Sequence, residues 1–459
     1  MSCSTAELRR QRGGKDRKKY EDRPKFRIFG PYIFYKMGTQ AEVLVIGGGP
    51  AGLMAAGRAA LAGCSVVLLE KMDRCGRKLC ITGKGRGNLS NMRDWAEFSE
   101  HIHPQADFFR SAFWHFPNTE LASFFQTIGI DTQVERGERL FPVCQDARKV
   151  TEALVQWARA AGVFVLTGAR VCDWNWEDGR IREVFYIQNG TRRSLMPACV
   201  VLATGGYSYP ATGSDGEGHV LLEKAGHTIT PCFPSLNALM PKNYDTDLEG
   251  VSLANVSLAL WIEDQSVQEE FGELNFTSLG IEGPLGLRLS RKAVVALRKG
   301  QKSSLRMNLK PALSPEQLQL RWERELAESG QVSLAVFMRH YLPKALVAPF
   351  LRVQGIPGQL RAQTLKPKEA KRIVQGLQLW EFPLESYGGF ERAVITAGGI
   401  SLKEIQKKNM QSKKFTNLFF AGEIIDLDGD TGGYNLQIAF STGALAGRAA
   451  ADYLMGTRN

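Results

Sequence analysis

The chain of 459 residues is 44% hydrophobic and 23% charged, with a mean hydropathy of -0.20. That length suffices for two or three domains at roughly 100–200 residues each and excludes wholesale disorder, and no run nears the ~18 apolar residues of a membrane span. The formal charge is +11, but +7 of it lies in residues 1–40, so the rest is nearly balanced and a uniformly basic chain is excluded.

Residues 1–40 are expected to be a disordered basic tail. It reads as an arm for RNA or another anionic surface. Alternatively it is not translated, because Met37 stands just before the first strand. Glu7, Asp16, Glu21 and Asp22 count against an organelle transit peptide.

The first ordered segment, 41–230, opens on AEVLVI, a buried-type strand. Gly47-Gly48-Gly49-Pro50-Ala51-Gly52 follows, then an Ala/Leu-rich helix and a second strand ending at Glu70. This is a β-turn-α-β unit with GxGxxG in its turn. Gly47 permits the tight turn. Gly49 lets the backbone approach a pyrophosphate at the helix N-terminus, and Gly52 lets helix and strand pack closely. Glu70 is placed to accept hydrogen bonds from ribose hydroxyls.

Cys75 and Cys80 have the C-x4-C spacing of a redox disulfide, but its Gly and Pro flanks are missing, so they read as two unrelated thiols. The 8 cysteines form no CxxC pair and no Cys/His set with zinc spacing, so no metal is expected and a reduced, cytoplasmic setting fits.

Helices are expected at 104–128 and 146–161, then a strand meander turning at Asp178-Gly179. A buried strand, CVVLATGG, covers 199–206, and a helix runs from Gly216 to Gly226. Residues 231–390 change texture. Alternating runs such as VSLANVSLALWIE suggest a small inserted β domain, with helices at 314–329, 332–350 and 367–378. Arg288, Arg291, Lys292, Arg298, Lys299, Lys302 and Arg306 read as the basic face of a helical insert. Residues 391–459 return to the first texture, with AVITAGGIS, then NLFFAGE, an acidic loop and a small-residue helix opened by Gly432-Gly433-Tyr434-Asn435-Leu436-Gln437.

Two glycine-rich strand ends far apart in sequence can meet in one doubly wound sheet. Together they suit a long ligand, with ADP at one end and an isoalloxazine at the other. FAD fits, held noncovalently, whereas NAD alone does not require the C-terminal element. Only one full fingerprint is present, so NAD(P)H, as electron donor, would bind transiently against the flavin.

GRKLCITGKGRGNLSN (76–91), VVLATGGYSYPATGSDGEGH (200–219), NFTSLGIEGP (275–284) and the 393–443 segment ending DLDGDTGGYNLQIAFSTG resemble the BaiN/RdsA-type (YhiN-like) flavoproteins over about residues 41–455. The resemblance implies an α/β fold: a discontinuous Rossmann-like FAD-binding domain (41–230 and 391–459) with an inserted β-barrel-like domain (231–390) and a helical subdomain (about 314–378). By the family pattern, Ala51, Glu70, Lys71, Arg77, Lys78 and the loop of Gly83, Gly85 and Asn88 approach the ADP and flavin. Val171 meets the adenine through its backbone. Asp426, Gly433, Tyr434, Asn435 and Leu436 flank the ribityl chain and flavin, and Thr204, Gly205, Gly422 and Glu423 are further cofactor-binding candidates.

The family usually has Arg-Cys-Asn where this chain has Arg86-Gly87-Asn88, and Phe-Thr-His where it has Phe276-Thr277-Ser278. A thiol or imidazole there would donate a proton to a reduced substrate. Lys84, Tyr207, Tyr209 and Ser278 are the remaining local donors. The resemblance implies one of three activities. The leading expectation is hydride transfer from NAD(P)H through flavin to a conjugated double bond, with a uridine of ribosomal RNA as substrate. The alternatives are reduction of small enones and oxidation of small amines of the aminoacetone type. A flavin-bound factor without turnover is the non-enzymatic alternative. No membrane partner is expected.

Overall fold

The computed structural model describes residues 40–458. The tail therefore lies outside the described residues.

Strand β1 (Gln40–Ile46), helix α1 (Pro50–Leu61) and strand β2 (Val66–Leu69) form the expected unit. The chain then adds a two-residue strand, β3 (Ile102–His103), and a helix, α2 (Ala147–Ala160). Strand β4 (Phe164–Leu166) precedes a meander of β5 (Ala169–Glu177), β6 (Arg180–Gln188) and β7 (Thr191–Leu202). Asp178 and Gly179 carry the β5–β6 turn with φ of 47° and 65°, as a two-residue hairpin requires. The end of β7 joins the central sheet beside β1, and its start pairs with β6.

The expected helix at 104–128 is two helices, Ala106–His115 and Asn118–Thr127. Pro117 separates them, because a proline biases the residue before it away from helix. The expected helix at 332–350 is likewise broken. Leu334–Phe337 is helical, Met338–His340 tightens to a 3-10 turn, and a new helix starts after Pro343.

The inserted region holds a closed six-stranded barrel. Its strands are β8 (Leu239–Pro241), β9 (Ser252–Ile262), β10 (Gln265–Thr277), β11 (Gly280–Glu282), β12 (Ser303–Asn308) and β13 (Trp380–Tyr387). Helix α3 (Gly283–Arg298) packs on it, and Pro315–Ser329, Lys344–Gln354 and α4 (Pro367–Gln378) form the helical part. Leu258, Phe276, Trp380 and Trp322 join barrel and helices in one apolar core. The cations between 288 and 306 do not share a helix. Arg288, Arg291, Lys292 and Arg298 lie on α3, Lys299 and Lys302 follow it, and Arg306 is on β12.

The chain returns through β14 (Leu418–Phe420) and β15 (Asp428–Gly429) to α5 (Tyr434–Arg458). The central parallel order is β14-β7-β1-β2-β4. The paired segments Val43–Ile46, Val66–Leu69, Val200–Leu202 and Leu418–Phe420 are apolar and buried, as strands covered on both faces are. On one face α5 crosses α1 at backbone contact. A Cβ at Gly443 would lie 2.4 Å from the Ala51 carbonyl oxygen, and one at Gly447 would lie 2.2 Å from that of Ala55.

Candidate functional site

The turn after β1 and the turn before α5 open onto one cleft. Gly47 has φ +104°, and a Cβ there would lie 2.4 Å from the Ala203 carbonyl oxygen. A Cβ at Gly52 would lie 1.9 Å from the Gly47 carbonyl oxygen. At Gly49, by contrast, the Cβ position faces open space, and Gly49 lines the cleft. No side chain caps α1, and no acidic residue stands in its first turn. Its free amides therefore present partial positive charge to the cleft.

Glu70 is buried. Its Oε2 accepts from Gly48 N at 2.7 Å and its Oε1 from Met72 N at 2.8 Å, which pins the glycine turn to the end of β2. Burial pushes its carboxyl above the usual range, and the two amides oppose that shift. Each oxygen keeps a lone pair for a ligand hydroxyl.

Arg74, Arg77 and Lys78 supply cationic walls. Lys78 Nζ pairs with Glu423 Oε2 at 2.8 Å, while Glu423 Oε1 accepts from Thr396 N at 2.8 Å. The Thr204 hydroxyl, on the wall of the same cleft, is buried with no hydrogen-bond partner among the described residues.

The second glycine turn is locked to the 88–91 segment. A Cβ on Gly433 would lie 2.1 Å from Ser90 O. The Asn88 side-chain oxygen accepts from Gly433 N at 3.1 Å, Asn91 Nδ2 donates to Gly432 O at 3.2 Å, and Ser90 Oγ donates to Gln437 at 2.6 Å. These buried bonds fix where α5 begins.

The cleft thus gathers Gly47, Gly49, Ala51, Glu70, Arg77, Lys78, Gly83, Asn88, Thr204, Gly205, Gly422, Glu423, Gly433, Asn435 and Leu436. Other expected residues stand off it. Gly52 packs beneath the turn, and Lys71 Nζ pairs with Asp215 at 2.5 Å and Glu217 at 3.3 Å. Gly85 lies in the left-handed stretch of the loop. Val171 is buried on β5, opposite Tyr186. Asp426 is held by its backbone amide on Ile400 O at 3.1 Å. The Tyr434 ring turns into the core against Phe98, at 4.8 Å between centroids, and the Asn435 side chain bonds back to Gly429.

None of the four expected proton donors lines the cleft. Lys84 is exposed at φ 59°, and Ser278 is exposed at the β10–β11 turn. Tyr207 stacks on His219 at 5.1 Å, and Tyr209 sits at φ 55° before Pro210. Cys75 and Cys80 are both free, and burial pushes the Cys75 thiol up to about 12.

The sequence reading placed an acidic loop before the second glycine pair but singled out neither Asp430 nor Thr431 in it. Asp430 and Thr431 line the cleft. Asp430 accepts from His101 Nδ1 at 2.8 Å and His103 Nε2 at 3.1 Å. Next to it, the fully buried Asp428 takes a bidentate pair from Arg291, at 2.8 and 3.0 Å. The only sequence signal was the density of acids in DLDGDTGG.

The family described as HI0933-like protein Rossmann domain matches residues 41–449. A 3-dehydro-bile acid delta(4,6)-reductase of Clostridium scindens is 29% identical over 410 residues, covering 89% of this chain and 98% of that protein. A ribosomal RNA dihydrouridine synthase of Haemophilus influenzae is 28% identical over 414 residues, covering 88% and 97%. Among solved structures, a 3-ketosteroid-delta4-(5alpha)-dehydrogenase from Rhodococcus jostii RHA1 in complex with 4-androstene-3,17-dione superimposes with a TM-score of 0.51 at 14% identity, over 90% of this chain and 97% of that one. At that identity the likeness bears on the fold alone. No helix among the described residues is long and apolar enough to cross a membrane.

Proposed function

The chain belongs to the HI0933-like family of Rossmann-domain proteins, and from that premise we propose that it is an FAD-dependent oxidoreductase that reduces a conjugated carbon–carbon double bond, with a uridine of ribosomal RNA as the leading substrate. The observation that carries the cofactor reading is the single cleft shared by the α1 turn and the α5 turn. Its parts suit a dinucleotide. The uncapped α1 amides and Arg74, Arg77 and Lys78 would hold the pyrophosphate, Glu70 the ribose, and the Gly432–Leu436 turn the far end. FAD, when bound, supplies two-electron hydride chemistry. The chain would hold it by packing, dipoles and hydrogen bonds, since no cysteine or histidine among the described residues lines the cleft. NAD(P)H is proposed as a transient donor.

Relatives of nearly equal identity are named for a bile-acid reductase and for rRNA dihydrouridine synthases. Charge favours the RNA reading. Residues 310–378 carry 11 Lys and Arg against 5 Asp and Glu, within an otherwise balanced body. Such a surface suits a phosphate backbone.

Three measurements test the reading. Denaturing the purified protein should release FAD, and recovery of FMN or of no flavin after reconstitution would remove the cofactor assignment. Dihydrouridine in rRNA, mapped by mass with and without the gene, should fall on deletion. Unchanged rRNA with turnover of small enones would move the substrate to the small-molecule class. Amine consumption with hydrogen peroxide release would replace reductase by oxidase.

A further inference from the structure

The chain enters and leaves the inserted region through two neighbouring segments. The strand Ile229–Ser235 leads out and the strand Ile395–Ile400 leads back, with Ser235 opposite Ile395. On the barrel side, Leu239 stands opposite Tyr387. Of residues 231–390, Leu236 alone lines the cleft among the described residues, and Val394 and Ile395 line it from the returning segment.

Leu236 has φ +53°, in the left-handed region that a bulky side chain seldom adopts. Its neighbours hold it there. Leu236 O accepts from Val394 N at 3.2 Å, Asn237 N donates to Ser290 Oγ on α3 at 3.0 Å, and Asn237 Nδ2 donates to Gly388 O. Ser235 Oγ donates to Asp428 Oδ2 at 3.3 Å, which ties the segment to the loop that carries Leu427, another cleft residue. Backbone held in sparsely populated regions clusters where a protein clamps a ligand. Here the same bonds fix Val394, through its amide, at the cleft.

Val394 is 40% exposed, and of the exposed large hydrophobic side chains it alone lines the cleft among the described residues. The other apolar residues of this wall are shut away, with Leu236 and Leu427 each 1% exposed and Ile395 7%. Two residues on, Thr396 N donates to Glu423, whose other carboxylate oxygen holds Lys78. Those two charges cancel, so this wall suits an uncharged group better than an ion. Pockets at domain junctions bind their ligands mainly through such apolar surface.

We propose that Val394 is a substrate-contact residue, packing against the face of an uncharged ring that holds a carbon–carbon double bond conjugated to a carbonyl. Uracil and cyclic enones share that chemistry. The assignment rests on the reading that the cleft binds FAD and reduces such a bond. Leu236 acts through Val394 and is a positioning residue.

The test uses the FAD-loaded protein. A uridine oligonucleotide and cyclohexenone are titrated separately into the oxidised form, and the flavin difference spectrum gives a dissociation constant for each. The ring that binds identifies the source. Val394→Ala should raise that constant by about threefold to tenfold, the worth of the valine surface that the ring covers. Val394→Thr, similar in shape but hydroxylated, should raise it as well, whereas Val394→Ile should keep or tighten it. FAD affinity should match the wild type in all three variants. Equal ring affinity in wild type, Val394→Ala and Val394→Thr would overturn the proposal. A parallel loss of FAD affinity would also overturn it, by making Val394 a cofactor contact. If neither ring perturbs the wild-type flavin, the substrate reading falls and the proposal with it. Folded protein that binds no FAD would instead overturn the cofactor reading.

Discussion

Glu70 shows how one side chain serves fold and site together. Its carboxylate accepts from the amides of Gly48 and Met72 and still borders the cleft. Glu70→Ala is expected to weaken FAD binding by about 1.5–3 kcal/mol, the worth of a hydrogen bond to a charged group. Equilibrium binding of FAD measures this, and an unchanged dissociation constant would place the ribose elsewhere. A second residue-level expectation concerns acid stability. Burial alone would raise the Glu404 carboxyl, but His227, Lys414 and the Thr228 amide and hydroxyl outweigh burial and hold it at about 2. A carboxylate depressed in the folded state stabilises fully above its unfolded value, and that contribution is lost as pH falls through the folded one. Glu404→Gln should therefore flatten the loss of stability between about pH 4.5 and 2, read as urea midpoints across pH. An identical acid limb in the variant would exclude Glu404 as its source.

At the scale of elements, close helix packing sets where α5 lies. The Gly447 Cβ position is 2.2 Å from Ala55 O, a backbone atom that cannot swing aside. Gly447→Ala should cost about 1–3 kcal/mol despite its better helix propensity, as overpacking does. Chemical denaturation with and without FAD reads this, and a variant as stable as wild type would mean that α1 and α5 can separate without loss. Local features were legible in the sequence: GxGxxG, the Asp178-Gly179 hairpin and the glycine pair before α5 each carry their own backbone requirement. The breaks at Pro117 and Pro343 carried a local signal too, but apolar periodicity ran across both prolines and masked it. The Asp430 cluster had no such signal, because its partners meet only through β3–β15 pairing across more than three hundred residues.

Over the whole molecule, the fold redistributes charge that the sequence had seemed to gather on one helix. Arg288 pairs with Glu270, Arg291 with Asp428, Lys302 with Asp264 and Arg306 with Glu381, so four of these seven cations are ion-paired, while Lys292, Arg298 and Lys299 are exposed with no ion-pair partner among the described residues. Arg324, Arg339, Lys344, Arg361, Lys368, Lys371 and Arg372 in the helical part are likewise exposed and have no ion-pair partner among the described residues. Lys368, Lys371 and Arg372 fall three and four apart on α4, one face of that helix. If ribosomal RNA is the substrate, this face should neutralise backbone phosphates. Replacing all three by Glu should lower RNA affinity and reduce the salt slope by about 0.7 for each single-strand phosphate that the face no longer neutralises. FAD content should stay at the wild-type level, since none of the three borders the cleft. Filter binding of an rRNA fragment across a salt series gives both affinity and slope. A triple variant with wild-type slope and affinity would take RNA binding away from the helical region, and enones would become the better substrate class. A reduced slope together with loss of dihydrouridine in rRNA, at full flavin occupancy, would tie this surface to the chemistry in the cleft.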